Sequence, residues 1–335
     1  MATTLIASSS PIGIGVMGLE LSTNLQSIDS VILIDYPWYS ETERLSYDNV
    51  AVLARSDHTS AARDLREVIA SLDKDRSRKL LFIESSWGIS KLFSKSRNYL
   101  IPMWEQASTE LESRSCGNMI SVTKFGQAHM AKNGIASRYL PFPVQKQTRK
   151  PITELRTILH NAGSYGGAFR KGTPEAVMIF QRSGLADKGV ELRITALTPP
   201  NDELQQIIER KPNGIRLDVG FRRDWRDIYE TGDLLLYPSR TEGHSLPVLE
   251  ANSFGIPALS TDFGPIAEYD DDPRFKIPVA NQNGNRAFVN IDEGAEKLIS
   301  IHQMSLQVKS AEVYENVSQN FSWDALAPLY DRMLN

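Results

Sequence analysis

"DLLLYPSRTEGHSLPVLEANSFGIPALSTDFGPIAE" spans residues 233–268 and has the pattern of a strand, a loop, a helix and a second strand. The apolar start, residues 233–239, predicts a buried strand, and RTEG predicts a loop at its carboxyl end. Ser245 is a candidate N-cap, Pro247 suits the first helical turn, and Gly255 ends the helix. The second strand, IPALSTD, leads into another glycine loop. This succession is typical of an α/β protein with a parallel sheet.

Ligands of open α/β sheets bind at the carboxyl ends of strands, where the free N–H groups of a helix face anions. A diphosphate therefore suits residues 243–246. Glu242 and Glu250 flank this position with seven residues between them. A carboxylate accepts hydrogen bonds from vicinal hydroxyls, so one acid beside a sugar and one beside a ribose would bracket a nucleotide-sugar. The alternative is that Glu242 is a surface loop residue and Glu250 pairs with a nearby arginine.

The stretch from Pro238 to Glu268, PSRTEGHSLPVLEANSFGIPALSTDFGPIAE, closely resembles the donor-site signature of the retaining glycosyltransferases of family 4, which have the GT-B fold. Two other segments extend the resemblance. ISVTKFGQAHMAKNGIASRYLPFPV is similar to the last strand, helix and strand of the family's N-terminal domain, and NAGSYGGAFRKGTPEAV looks like its phosphate-binding loop. The resemblance implies two Rossmann-like domains whose parallel sheets face each other across a cleft.

The resemblance also implies roles for individual residues. Glu242 would lie near the donor sugar, and Glu250 would accept hydrogen bonds from the ribose. Lys171 matches the family lysine that neutralises the diphosphate. Gly163, which precedes it in the chain, matches a glycine of the family. The diphosphate would be held largely by backbone N–H groups of four consecutive residues: Gly243, His244, Ser245 and Leu246.

The sequence departs from the family at two positions. The family has arginine directly after the glycine at Gly163, whereas this chain has Ser164. Arg170, beside Lys171, is a candidate for the missing cation. His244 replaces a more usual aromatic or small residue, which a backbone role tolerates; a lone histidine there is a loop residue rather than an acid or base.

The leaving group of such a reaction is a nucleoside diphosphate, so the main electrostatic task is to stabilise charge on the β-phosphate. Lys171, Arg170 and the helix N-terminus at Ser245 would do this without a metal ion or other cofactor. Retention in the family is ascribed to attack on the face from which the diphosphate leaves, with no protein nucleophile. The acidic sequence from Asp270 to Asp272 has the spacing of a metal-binding Asp-x-Asp motif, but we interpret it as a solvated turn.

A second glycine pattern, Gly13, Gly15 and Gly18, spells G-x-G-x-x-G near the N-terminus. In a dinucleotide-binding fold the first glycine follows the strand at once, whereas here SSSPI intervenes. Asp35 lies at a suitable distance for a ribose contact. Three interpretations stay open: a phosphate or sugar contact on the acceptor side of the cleft, a glycine turn before a helix, and a site for NAD or flavin. An NAD-dependent oxidoreductase or epimerase would use a Tyr-x-x-x-Lys pair, and no such sequence occurs in this chain.

Acceptor residues are expected on loops that follow strands of the first domain. IESSWG and IPMWEQ are such loops, and their tryptophans either stack on an acceptor or belong to the core. The candidates for the acceptor and phosphate loops are Gly13, Gly15, Glu84, Ser85, Trp87, Trp104 and Glu105.

The basic side chains are concentrated in the first half of the chain. Residues 51–150 hold 17 Lys and Arg against 9 Asp and Glu, although the whole chain has a net charge of −4. A basic surface exposed to solvent would explain this local excess of positive charge. The alternative explanation is that this region binds an anionic acceptor. We therefore consider two acceptor classes: a glycan or lipid-linked saccharide, and a hydroxymethylated DNA base, as used by virus-encoded transferases. The basic residues concerned are Lys74, Arg76, Arg78, Lys79, Lys91, Lys95 and Arg97.

Length and composition set limits on these hypotheses. The 335 residues, 41% hydrophobic, suit about two globular domains. The lone Cys116 excludes an internal disulfide, and no apolar run approaches the roughly 20 residues of a membrane span. We expect a cytoplasmic protein.

A third functional hypothesis, besides the glycosyltransferase and the oxidoreductase or epimerase, is a sugar-nucleotide binding protein without turnover. The departure from the family at Ser164 favours this hypothesis.

Apolar runs alternate with amphipathic stretches, and PFPVQKQTRKPI interrupts the pattern. We predict an acceptor-side domain at 1–145, a donor domain at 152–318 and a terminal helix at 319–335 that packs toward the first domain. That helix has Leu326, Leu329 and Leu334 on its expected apolar face. The predicted strands are TLIAS, SVILIDY, NVAVLA, KLLFIES, NYLIPM, NMISVT, SRYLPF, RTILHNAG, ELRITAL, IRLDVG, DLLLYPS, IPALSTD and RAFVN; the predicted helices include SAARDLREVIASL, TPEAVMIFQRSGL, DELQQIIERK and DEGAEKLISIHQM.

Overall fold

The computed structural model of the chain describes most of the sequence. The described residues are 2–10, 13–35, 45–48, 50–55, 77–105, 109–149, 151–163, 167–197, 212–220, 222 and 224–335. The predicted helices at 60–72 and 202–211, and the candidate residues Lys74, Arg76 and Ser164, lie outside them.

The chain divides into two compact units. Unit 1 comprises Met1–Pro143 and Trp323–Asn335, and unit 2 comprises Val144–Ser322. The chain therefore leaves unit 1 next to the predicted linker and returns to it for the terminal helix.

Unit 1 contains a seven-stranded sheet in the order β3-β2-β1-β4-β5-β6-β7, with every neighbouring pair parallel. Because the order runs down to β1 and then resumes at β4, the direction of winding reverses between these two strands. Its strands are β1 (Thr3–Ser8), β2 (Ile28–Asp35), β3 (Val50–Arg55), β4 (Lys79–Ile83), β5 (Asn98–Ile101), β6 (Asn118–Ser121) and β7 (Arg138–Tyr139).

Unit 2 repeats this topology in a six-stranded parallel sheet, β10-β9-β8-β11-β12-β13, which reverses between β8 and β11. A separate antiparallel hairpin joins β14 and β15. The strands are β8 (Thr157–Gly163), β9 (Glu191–Ala196), β10 (Ile215–Val219), β11 (Leu234–Tyr237), β12 (Ala258–Thr261), β13 (Lys276–Ile277), β14 (Val279–Asn283) and β15 (Arg286–Val289).

Helices flank the strands in both units. The α-helices in the described residues are α1 (Gly13–Asn24), α2 (Thr109–Ser113), α3 (Lys124–Lys132), α4 (Gly167–Arg170), α5 (Thr173–Ser183), α6 (Leu246–Ser253), α7 (Ile291–Gln303), α8 (Gln307–Asn320) and α9 (Trp323–Leu334). Short 3-10 helices occupy Ile89–Leu92, Lys95–Arg97, Leu185–Lys188, Trp225–Ile228, Gly264–Glu268 and Pro273–Phe275.

The α/β class and the predicted strands are confirmed, with some differences. All thirteen predicted strands are present, but RAFVN forms β15 of the hairpin instead of a strand of the main sheet. Strands β13 and β14 and helices α2, α4 and α8 were not predicted. The buried strands β4 and β11 are almost entirely aliphatic or aromatic, as expected for parallel strands covered on both faces.

The terminal helix α9 packs within unit 1. The indole N–H of Trp323 donates to Glu20 at 2.8 Å, and the hydroxyl of Tyr330 donates to the Pro141 carbonyl at 3.1 Å. Leu326 and Leu334 are buried as predicted, but Leu329 is 43% exposed, so its place on the apolar face was wrong. The buried residues of this helix recur at intervals of three, four and four positions, so they share one face: Trp323, Leu326, Tyr330 and Leu334. Leu329 lies outside that face.

The N-terminal glycines allow α1 to approach β1 closely. A Cβ atom at Gly15 would lie 1.9 Å from the Ser10 carbonyl oxygen, and one at Gly18 would lie 2.8 Å from Cβ of Ala7. The hydroxyl of Tyr47 also reaches the Gly15 carbonyl at 2.6 Å. At both positions a Cβ atom would meet the backbone or a core side chain. Close packing alone therefore favours glycine at both positions, independent of any ligand.

We expect Gly15→Ala to destabilise unit 1 by about 2 kcal/mol or more, because the added methyl must displace the Ser10 backbone. The control is Thr23→Ala on the exposed face of the same helix, with an effect within about 0.5 kcal/mol. Urea unfolding measures both. Equal stability of the two variants would contradict the packing role.

Candidate active site

The candidate site lies at the carboxyl edge of the second sheet, between β8 and β11. β8 ends at Gly163 and β11 at Tyr237, and these neighbouring strands flank the reversal of strand order. Ligands of open α/β sheets bind in the crevice outside this point. The loops after both strands carry residues that the sequence singled out.

Glu242 is the centre of a hydrogen-bonded cluster. Its Oε1 accepts from Lys171 Nζ at 2.7 Å, from the Tyr237 hydroxyl at 2.7 Å and from the Ser239 hydroxyl at 2.6 Å. Its Oε2 accepts from Arg170 at 3.1 Å. The alternative reading of Glu242 as a surface loop residue was therefore wrong, because the residue is buried and ion-paired.

The electrostatics of this cluster favour a charged carboxylate. Burial alone would raise the pKa of Glu242, but Lys171 and Arg170 outweigh it and lower that pKa to about 2. Burial lowers the pKa of Lys171 to about 8, against the opposing effect of Glu242. The two cations differ in access: the Lys171 side chain is buried, whereas the Arg170 side chain is 45% exposed.

Close packing fixes Lys171 against the end of β11. Gly172 has φ +69°, and a Cβ atom there would lie 2.0 Å from the Pro238 carbonyl oxygen, so only glycine fits. Behind it, the buried His160 bridges the Leu236 carbonyl at 2.9 Å and the Thr173 hydroxyl at 2.8 Å. Burial lowers the pKa of His160 to about 4, so its ring is neutral at pH 7.

The loop before α6 has an unusual backbone. Ser245 is the N-cap residue, as predicted, but its φ is +74° and its side chain makes no capping hydrogen bond. The Ser245 hydroxyl is buried without a hydrogen-bond partner. A non-glycine residue in the left-handed region is strained by about 1–3 kcal/mol, which is typical of functional sites. Pro247 lies in the first turn and Gly255 follows the end of α6, both as predicted.

His244 is buried and oriented by Tyr269. The Tyr269 hydroxyl donates to the His244 carbonyl at 2.7 Å and lies 2.8 Å from Nδ1 of the same residue. Because that hydroxyl has one proton, Nδ1 is the donor in the second contact. No local feature of the sequence indicates this pairing.

Glu250 lies on α6 and faces the core side of the site. Its Oε2 accepts from the Tyr229 hydroxyl at 2.7 Å, and Tyr229 is fully buried. This tyrosine partner was not considered in the sequence analysis. Tyr229 and Tyr237, which the sequence analysis missed, therefore hold one glutamate each.

The remaining candidates belong to unit 1. Gly13 begins α1, and Gly15 is a buried residue in the first turn of this helix. Glu84 directly follows β4, with φ +63°, and the Ser85 hydroxyl donates to Glu112 at 3.1 Å. Glu105 follows β5 and is half-buried.

Both candidate tryptophans are core residues. Trp87 and Trp104 are buried, and Trp104 packs against Phe125 with ring centroids 4.8 Å apart. Of the two interpretations considered for these indoles, the core one agrees with the structure. Trp87 nevertheless has φ +48°, so the segment from Glu84 to Trp87 contains two strained residues at the carboxyl end of β4.

In the Asp270–Asp272 turn only Asp271 is exposed, whereas Asp270 and Asp272 are largely buried, contrary to the prediction of a solvated turn. The buried ammonium of Lys309 lies 2.7 Å from Asp270 and 3.6 Å from Asp272, and Arg274 also pairs with Asp272 at 2.6 Å. These aspartates are the counter-ions of a buried lysine. The described residues contain no cluster of three or more His, Cys, Asp or Glu that could hold a metal ion, and none of their helices is long and apolar enough to cross a membrane.

Comparison with known families agrees with this geometry. The family described as Glycosyl transferases group 1 matches residues 168–296, which include Arg170, Lys171, Glu242 and Glu250. This part of the chain is therefore similar to that family. A sequence comparison with curated proteins gives no significant match.

Solved structures, a glycosyltransferase among them, share the fold over most or all of this chain. The one from Rickettsia africae ESF-5 is 14% identical, with a TM-score of 0.72 over 99% of this chain and 97% of that one. HepE from Anabaena, solved with UDP and glucose, is 14% identical, with a TM-score of 0.69 over 100% of this chain and 99% of that one. The GtfA/B complex gives 18% identity and a TM-score of 0.62 over 82% of this chain, which spans only 60% of the matched chain. The predicted GT-B fold is confirmed.

We expect Glu242→Gln to lower the free energy of unfolding by about 3 kcal/mol at pH 7, because it removes one partner of a buried ion pair. The folded-state pKa of Glu242 is depressed from 4.5 to about 2, so its stabilisation is complete above pH 4.5 and is lost as the pH falls toward 2. The variant should lack this part of the pH dependence.

The matched control is Glu154→Gln. Glu154 pairs with Arg156 at 2.9 Å on the surface of the same unit, and an exposed pair contributes only about 0.2–1 kcal/mol. Chemical denaturation between pH 3 and pH 8 measures both variants. If both variants lost the same free energy of unfolding, the Glu242 cluster would not stabilise unit 2.

Proposed function

We propose that this protein is a retaining glycosyltransferase that transfers a sugar from a nucleoside diphosphate sugar, preferably a UDP-sugar, to an acceptor hydroxyl. The observation that carries the proposal is the convergence of Arg170 and Lys171 on Glu242, beside the N-terminus of α6. Two cations and a helix N-terminus are suited to a diphosphate leaving group. The group 1 family match over residues 168–296 supports the same chemistry.

In this proposal the cations change partners when the donor binds. Arg170 and Lys171 would move from Glu242 to the phosphate oxygens, and the released carboxylate would accept hydrogen bonds from the donor sugar. Charge developing on the β-phosphate would then face both cations and the N-terminus of α6, which is worth several kcal/mol in the transition state. These two side chains supply the positive charge, so we propose a reaction that needs no metal ion or other cofactor.

The loop Gly243–Leu246 would hold the diphosphate. Its backbone N–H groups lead into α6, and the buried Ser245 hydroxyl has no protein partner to compete with a phosphate oxygen. Glu250 would accept hydrogen bonds from the ribose, with Tyr229 orienting its carboxylate. Gly163 would complete the donor site beside Lys171.

The acceptor side belongs to unit 1, where Glu84 and Glu105 follow neighbouring strands. Two acceptor classes follow from the basic surplus at residues 51–150: an anionic glycan or lipid-linked saccharide, and a hydroxymethylated DNA base. We propose a cytoplasmic enzyme transferring a hexose or pentose. Attack would occur on the face from which the diphosphate leaves.

The packing of Gly15 and Gly18 against β1 favours a structural role for the G-x-G-x-x-G pattern over an NAD site. An oxidoreductase or epimerase remains the alternative to test, as does a sugar-nucleotide binding protein without turnover.

Hydrolysis of a panel of UDP-, GDP- and ADP-sugars tests the proposal. We expect turnover of at least one donor, preferably a UDP-sugar, that persists in EDTA and gives a product with the anomeric configuration of the donor by NMR. Glu242→Gln should lower turnover strongly, whereas Glu154→Gln should not. Donor binding without turnover would indicate a binding protein, and NAD binding with no donor turnover would refute the proposal.

A gel shift with duplex DNA at two salt concentrations separates the acceptor classes. Binding that weakens steeply with salt, together with transfer to hydroxymethylated DNA, supports the base as acceptor. Transfer only to saccharide acceptors supports the other class.

The pH dependence of kcat/KM for the donor should reflect Lys171. Because burial lowers its pKa to about 8, Lys171 loses its charge as the pH rises through 8, and kcat/KM should fall about tenfold per pH unit above it. Lys171→Arg keeps the charge and should remove this alkaline decline, whereas Lys171→Met should be poor at every pH. An unchanged alkaline decline in Lys171→Arg would assign it to another group.

A further inference from the structure

Arg240 and Glu175 form a buried ion pair next to the site, but the proposed reaction gives neither residue a role. Arg240 contacts Glu175 Oε1 through its terminal nitrogen at 2.6 Å and through Nε at 2.8 Å, and both side chains are buried. A buried pair of this kind often contributes little net stability relative to apolar residues, so a role in fixing geometry needs to be considered.

The guanidinium of Arg240 also stacks on two aromatic rings. It lies 3.7 Å from the ring centre of Phe169 and 4.8 Å from that of Phe288. Phe169 is 41% exposed, so the core alone does not hold its ring. A planar guanidinium can stack and pair at once, which a lysine ammonium cannot do.

Backbone hydrogen bonds connect the same segments. The Arg240 N–H donates to the Arg170 carbonyl at 2.8 Å, and the Ser239 hydroxyl donates to that carbonyl at 3.1 Å. The N–H of Ala287, in β15, donates to the Arg240 carbonyl at 2.8 Å. Arg240 therefore joins α4, the loop after β11 and the β14–β15 hairpin.

Helix α4 depends on such contacts for its position. It has only four residues, too few for an isolated helix to be stable, yet it ends at Arg170, directly before Lys171. Glu242 lies two residues after Arg240. The position of α4 against this loop thus determines whether both cations reach the carboxylate.

We propose that Arg240 is a positioning residue which, with Glu175 as its counter-ion, fixes Arg170 and Lys171 in register with Glu242. The consequence for catalysis rests on the function proposed above, because this arrangement of Arg170, Lys171 and Glu242 is the one that would receive the donor diphosphate. The register itself is a property of the free protein and is tested without any ligand.

The first experiment measures the reactivity of Lys171 toward an acylating reagent as a function of pH, with mass spectrometry as the readout. Lys171 is surrounded by Glu242, Arg170, Glu250, the Tyr237 hydroxyl and the neutral His160. We expect a midpoint near 8 in the wild type, set mainly by burial. Arg240→Met should raise the midpoint because a displaced α4 admits water to Lys171.

Arg286→Met is the matched control. Arg286 approaches the same Phe169 ring at 6.0 Å but is exposed, so its loss should leave the Lys171 midpoint unchanged. Arg240→Lys keeps the charge without the stacking and should give an intermediate midpoint. If Arg240→Met does not fold, Phe169→Ala removes the stacked ring from the surface and should shift the midpoint in the same direction.

The second experiment measures UDP binding by calorimetry. Arg240→Met should weaken binding about tenfold or more through misplaced cations, and Arg286→Met should stay within about twofold of the wild type. A wild-type midpoint in folded Arg240→Met or Phe169→Ala would overturn the positioning role. If the wild type binds no nucleoside diphosphate but the Lys171 midpoint still shifts in the variants, the positioning role is supported and the proposed function is refuted.

Discussion

The buried carboxylate of Glu242 is the interaction on which the geometry of the candidate site depends. It accepts hydrogen bonds from two cations and two hydroxyls, and these come from the loop after β8 and from the segment that ends β11. A charge at this depth is tolerated only when it is paired and hydrogen-bonded. The cluster therefore fixes the two loops relative to each other.

Both units have the same winding, and this explains where the candidate residues lie. In each sheet the strand order reverses once, between β1 and β4 in unit 1 and between β8 and β11 in unit 2. Glycines permit close backbone approach beside both points, with Gly15 against Ser10 and Gly172 against Pro238. In unit 2 the loops beside this point also bring Arg170, Lys171 and Glu242 together.

Much of the fold was predictable because parallel strands buried on both faces are short apolar runs. The exceptions have physical reasons. β13 has only two residues, and β14 reads VANQN, which carries no apolar period. Leu329 is apolar and yet exposed, since α9 buries one face and the angular position of Leu329 lies outside it. Trp87 and Trp104 followed strands as expected, but whether an indole packs inward depends on neighbours such as Phe125.

The sequence by itself determined the local pattern: the strand, the glycine loop, the N-terminus of α6 and the two glutamates on either side of that loop. These features depend on residues close together in the chain, so spacing and propensity suffice to predict them. Only the tertiary structure decided the partners: Lys171 and Arg170 for Glu242, Tyr229 for Glu250, Glu175 for Arg240 and Lys309 for Asp270. Each of these pairs joins residues at least 20 positions apart, and sheet order and helix packing bring them together without leaving a local signal in the sequence.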